Sequence, residues 1–191
     1  MLAAGGVASA QNSDLGVLLG VMVSSGGTSG LPQIHGSWDV GGAGQMNYAY
    51  QVRGWQAGDL YVELPFILAE RDANEVSRGG FTYKEKYVGG VLPGIRFKLP
   101  LSGRASLYAA GGAGIGICKT DVIYASRGSS GTDNRTTINA AFDFGVGLDL
   151  RLTRLLSLRG EVRDLIIAPN SLSPSGGRNN PIFSFGFALH F

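Results

Sequence analysis

Residues 138–152 read Ile138-Asn139-Ala140-Ala141-Phe142-Asp143-Phe144-Gly145-Val146-Gly147-Leu148-Asp149-Leu150-Arg151-Leu152. Every even position is apolar, eight times in succession. The odd positions hold Asn139, Ala141, Asp143, Gly145, Gly147, Asp149 and Arg151. A period of two sends successive side chains to opposite faces of a strand, whereas a helix would scatter both sets around its axis. The run predicts one long strand, apolar on one face and charged or tiny on the other.

The same alternation extends outward in both directions. Only residues 153–155 separate this strand from the next, where Leu156, Leu158 and Val162 oppose Arg159, Glu161 and Arg163. Pairing Leu152 with Leu156 across that turn sets Asp149 directly opposite Arg159 on one face. The chain ends with Phe183, Phe185, Phe187, Leu189 and Phe191 alternating with Ser184, Gly186, Ala188 and His190. Towards the N-terminus lie the rows Leu107 to Ile117, Val91 to Leu99, Leu60 to Leu68, Met46 to Val52 and Leu15 to Val23. That makes eight strands, no convincing helix, and an all-β chain. Pro65 and Pro93 each remove a ladder donor and predict a local irregularity.

The connections have their own pattern. Residues 25–44, 70–86, 119–137 and 168–180 read as long polar loops, while 54–59, 100–104 and 153–155 are short turns. Long and short connections therefore fall at opposite ends of an antiparallel up-and-down meander. That is the layout of a transmembrane β-barrel.

Alternation alone leaves open which face is wet, since a soluble lipocalin-like carrier would point its apolar rows inward. Glycine supplies 31 of the 191 residues, and many sit in the polar rows, including Gly16, Gly20, Gly112, Gly114, Gly145 and Gly147. A solvent-facing strand gains nothing from glycine, but the crowded interior of an eight-stranded barrel needs small residues beside long ones. Apolar rows of about nine to eleven residues match a tilted strand crossing a bilayer. The inverted arrangement is the better fit. No run approaches the roughly 20 apolar residues of a spanning helix. A net charge of +2, with scattered basic residues, argues against nucleic acid as a partner. One cysteine excludes an intrachain disulfide and a cysteine-built zinc site. Ala8-Ser9-Ala10 before Gln11 reads as a signal-peptidase site, so residues 1–10 are taken as a secretory remnant and 11–191 as the barrel domain.

Over residues 11–191 the chain resembles the small bacterial outer-membrane β-barrels of the OmpX, OmpA-barrel and opacity-protein type. The resemblance is carried by Leu107-Tyr108-Ala109-Ala110-Gly111-Gly112-Ala113-Gly114-Ile115-Gly116, by Leu158-Arg159-Gly160-Glu161-Val162-Arg163-Asp164, and by Phe183 to Phe191. It implies an eight-stranded transmembrane meander with both termini in the periplasm. It also implies that the barrel-assembly machinery reads the C-terminal row Phe187, Leu189 and Phe191. Asp164 departs from the pattern, because relatives tend to carry an aromatic residue there.

The inward rows hold ten charges: Arg53, Glu63, Arg96, Lys98, Asp143, Asp149, Arg151, Arg159, Glu161 and Arg163. In a dry lumen they need one another, since an unpaired buried charge costs several kcal/mol. Their mixed signs favour a salt-bridged plug over a proton or ion path. GAGIGICKT (112–120) lacks the glycine that a phosphate loop places before its lysine. Cys118 reads as an inert inward thiol. His35 beside Ser37 echoes the His-x-Ser of lipid A deacylases but lies in a Gly/Ser-rich loop, and His190 has no nearby nucleophile in sequence. The expectation is a barrel without catalysis, metal or cofactor. Its four loops would serve a surface-interaction, adhesion or envelope-stabilising role. Expected partners are outer-membrane lipid including lipopolysaccharide, the assembly machinery, and a surface ligand at the loops. An OmpW-like conduit, a lipid A-modifying enzyme and a soluble carrier are the alternatives.

Overall fold

A computed structural model describes residues 12–25, 38–70, 75–78, 81–126, 129–168 and 179–191. The signal remnant and the His35–Ser37 pair lie outside the described residues. The strands are β1 (Ser13–Ser25), β2 (Trp38–Trp55), β3 (Gly58–Glu70), β4 (Glu75–Arg78) and β5 (Phe81–Val91). They continue with β6 (Gly94–Pro100), β7 (Ala105–Ser126), β8 (Ser129–Arg151), β9 (Leu156–Ile167) and β10 (Asn179–His190). Every pairing is antiparallel, and β1 pairs with both β2 and β10, so the sheet closes on itself.

The closed ring counts eight strands, because β5 and β6 are two halves of one wall strand. β3 pairs first with β6 and then with β5. The interruption falls at Leu92-Pro93, where proline cannot donate to the ladder. Two hydrogen bonds stitch the gap: Leu92 N–H to the Pro65 carbonyl (3.2 Å) and Ala113 N–H to the Pro93 carbonyl (3.1 Å).

The long connections are less loop-like than their polarity suggests. Residues 119–126 and 129–137 form a continuation of the β7–β8 ladder, unbroken to Ser126↔Ser129. Within 70–86, β4 and most of β5 are strand, and β5 stays paired with β7 up to Phe81↔Tyr124. The apolar row stops there because the sheet leaves hydrocarbon, while backbone pairing in register continues without it. β4, β5, β7 and β8 thus rise as one sheet beyond the wall. On its other side β8 pairs with β9 only as far as Ala141↔Ile167, and among the described residues nothing pairs with that side of Ser129–Asn139.

Burial is inverted relative to a soluble protein. Leu19 is 72% exposed, Ile138 68% and Leu68 61%, whereas Arg96 and Arg159 are 0% exposed. Water around such a belt would cost about 25 cal/mol per Å2 of apolar surface left uncovered. Hydrocarbon removes that cost, and a closed barrel leaves no strand edge within the belt. The soluble-carrier alternative fails on this observation. Inside, the half towards the long connections is apolar: Met22, Ile67, Val88, Leu92, Cys118, Leu165, Ile167 and Ile182 form one buried cluster. The half towards the short turns is charged.

Candidate functional site: the charged lumen and its mouth

Parity places the inward side chains. β8 turns Asp143 and Asp149 inward, β9 turns Arg159, Glu161 and Arg163, β6 turns Arg96 and Lys98, and β3 turns Glu63; all eight are buried. They join a single network. Lys98 bonds Asp149 at 2.6 Å, and Arg159 holds the same carboxylate through Nε (2.7 Å) and Nη2 (2.9 Å). Arg163 reaches Glu161 and Glu63, each at 2.5 Å, and also Asp143. Arg96 faces Glu63 at 2.5 Å.

The link between these two groups is Asp14, which the sequence pattern alone did not single out. Its carboxylate receives Arg96 Nη1 at 3.1 Å and Arg159 Nη2 at 3.1 Å. The signal was present, since Asp14 shares the inward row of Gly16, Leu18, Gly20 and Met22. The Tyr108 hydroxyl donates to Glu161 at 2.5 Å, and its ring lies 4.6 Å from the Arg96 guanidinium and 5.2 Å from that of Arg159. Gln45 adds a 2.6 Å bond to Glu161. Glycine makes room for these groups: a Cβ at Gly147 would overlap the Tyr108 ring, and one at Gly16 would lie 3.0 Å from Arg159 Nη1.

Two of the ten expected charges stand apart. Arg53 is exposed and stacks over Trp55 at 5.1 Å. A register shift between Gln51 and Arg53 adds one residue, so Arg53 pairs with outward Leu60. A bulge of that kind flips every following side chain to the other face. Trp55 in turn contacts outward Phe97, at 6.5 Å between ring centroids. Arg151 keeps its inward parity but lies at the mouth, exposed, one step beyond the network.

That mouth, at the short-turn end, is a polar cavity of about 340 Å3. Its lining includes Gln51, Asp59, Tyr61, Lys98, Arg104, Ser106, Asp149, Arg151, Ser157 and His190. Folding gives His190 the neighbour that sequence distance hid, because Ser157 Oγ is 2.7 Å from its Nε2. The spacing suits a nucleophile and base. Ser157 is only 1% exposed and His190 7%, so the pair is buried in the cavity wall. Phe187, Leu189 and Phe191 form an outward row, all about half exposed, and Phe191 exchanges two 2.9 Å backbone bonds with Ser13 across the closing seam. Asp164 also faces outward, half-buried, and accepts the Asn180 N–H at 2.7 Å, which gives that departure a capping task at the start of β10. A lipid-facing groove of about 500 Å3 runs past Leu19, Gly44, Leu68, Gly89 and Ile117 to Lys119.

Comparison with known proteins agrees with this architecture. The solved structure of Ail, the attachment invasion locus protein of Yersinia pestis, superposes with a TM-score of 0.53 at 15% identity, covering 94% of this chain and 99% of that one. Neisserial surface protein A gives 0.58 at 9% identity, covering 94% and 96%. A major outer membrane protein from Thermus thermophilus gives 0.54 at 13% identity, covering 93% and 99%. These similarities establish the fold alone. Among curated protein sequences none matches the chain. The model of the outer membrane protein beta-barrel domain matches residues 1–191. With its closed wall, inverted burial and full-length match, the chain belongs to the outer membrane protein β-barrel domain family.

Proposed function

We propose that the protein is a non-conducting, non-catalytic barrel of the bacterial outer membrane whose working part is the sheet raised beyond its wall. The short turns and both termini face the periplasm, and the β4–β5–β7–β8 sheet faces outward from the cell. The observation that carries this reading is the side of Ser129–Asn139 on β8 that has no partner among the described residues. An edge held in register by β7, its groups unpaired among the described residues, can add a partner strand or surface. The polar lumen ends blind beneath Leu92, Leu165 and Ile182, which are all 0% exposed. This favours the surface role over the OmpW-like conduit, and the covered Ser157 favours it over an enzyme.

Lipid is the partner of the outer wall, including anionic outer-leaflet glycolipid near Lys119. The C-terminal row Phe187, Leu189 and Phe191 is the segment offered to the assembly machinery. The test removes residues 121–134 so that Thr120 and Arg135, already ladder partners, approach the new turn. Cells displaying the shortened barrel should insert it normally but lose adherence to the surfaces that the intact protein binds. Equal adherence by the two forms, at equal surface levels, would overturn the adhesion role.

A further inference from the structure

The geometry points to a phosphate-binding site in the mouth at the short-turn end, built around Arg104 and Arg151. Arg151 N–H donates to the Arg104 carbonyl at 2.7 Å, one step past the pair Ala105↔Leu150. The two arginines are therefore opposed at the short-turn end of β7 and β8, and both residues line the same 340 Å3 cavity. Like charges directly opposed on a sheet repel. Among the described residues neither guanidinium has an ion-pair partner. Of the acids nearby, Asp149 is ion-paired with Arg159 and Lys98, while Asp59 accepts the Gln51 amide at 2.9 Å and keeps its charge on the same cavity wall.

Two arginines at opposed positions on the wall of one cavity, neither ion-paired among the described residues, can converge on one dianion. Each presents a planar fork that fits two oxygens of a phosphate, and the bonds so formed are charge-assisted. Ser106 and Tyr61 add hydroxyl groups along the cavity wall. The lining comes from inward rows and the 100–104 turn, so the cavity opens along the barrel axis and away from lipid. Its occupant is a soluble phosphate compound entering from the short-turn side. The volume leaves room for an organic group beside the phosphate. This site goes beyond the proposed function, and it stands whether or not the barrel conducts.

The test titrates inorganic phosphate against the full chain in a phosphate-free detergent, read by phosphorus NMR line broadening. The intact protein should broaden the line saturably. Arg104→Gln with Arg151→Gln should bind at least about tenfold more weakly, because both charge-assisted forks are lost. Arg53→Gln with Arg154→Gln removes the same formal charge outside the cavity and should bind as the intact protein does. Heat-modifiable mobility of each variant in a denaturing gel verifies the fold. No saturable broadening with the intact protein, or equal broadening in all three, would overturn the site.

Discussion

Asp149 and Arg159 stand directly opposite one another on β8 and β9, and the guanidinium Nε and Nη2 bond the two carboxylate oxygens at 2.7 and 2.9 Å. The pair is buried on both sides, at 2% and 0% exposure. Removing one partner strands the other in a dry interior. Asp149→Ala and Arg159→Ala should each destabilise the barrel, and a double-mutant cycle in urea should give a coupling above about 2 kcal/mol. Exposed pairs give roughly 0.2–1 kcal/mol. A value in that range would mean that water reaches the network.

Arg53 supplies the contrast, since its charge lies outside the lumen. Arg53→Ala loses a cation–π contact with Trp55 and leaves no carboxylate stranded. A loss of about 0.5–1 kcal/mol is expected. A loss as large as that for Arg159→Ala would place Arg53 back in the network.

Gly147 gives up its side chain to Tyr108. Gly147→Val should force the ring off its place over Arg96 and Arg159 and cost about 1–3 kcal/mol. Urea unfolding followed by tyrosine fluorescence measures this. An unchanged midpoint would show that the lumen has slack.

Purified protein should give no stable single-channel steps in planar bilayers at neutral pH. The ion-paired half is capped by buried Leu92, Leu165 and Ile182, leaving no continuous wet path. Reproducible long-lived steps would favour the conduit.

Deleting Phe191 should lower the inserted fraction in cells while changing detergent refolding little. In detergent the loss is one exposed ring and the two seam bonds to Ser13. Equal insertion in cells would remove the C-terminal row from any role in assembly.

What could be read from the sequence was whatever the bilayer enforces. Rows such as Ile138 to Leu152 are apolar because lipid demands it, and the 153–155 turn then sets the Asp149–Arg159 register. Where lipid ends, that constraint ends too. Residues 119–126 and 129–137 carry no apolar row, yet each segment keeps the other paired, and backbone pairing leaves no trace in the alternation. The bulge before Arg53 is also silent, because one inserted residue changes parity without changing composition. Asp14 was legible but stood at the end of its row, where the alternation looked finished. The Ser157–His190 contact joins residues 33 apart in sequence, and only the β9–β10 pairing brings them together.

The nine buried charges of the lumen network belong to β1, β3, β6, β8 and β9, and some of their partners come from strands that are not neighbours: Arg163 reaches Glu63, and Arg159 reaches Asp14. No hairpin taken alone neutralises its own ions. A strand entering hydrocarbon by itself would carry naked charge, at a cost of roughly 2–4 kcal/mol for each lysine or arginine at mid-depth. Arg96 and Arg159 meet all their partners only when β1 closes the ring and brings Asp14 between them. The wall must therefore cross the membrane as a nearly finished cylinder, its ions already folded inward, and a chain caught halfway is a poor solute in lipid and in water alike.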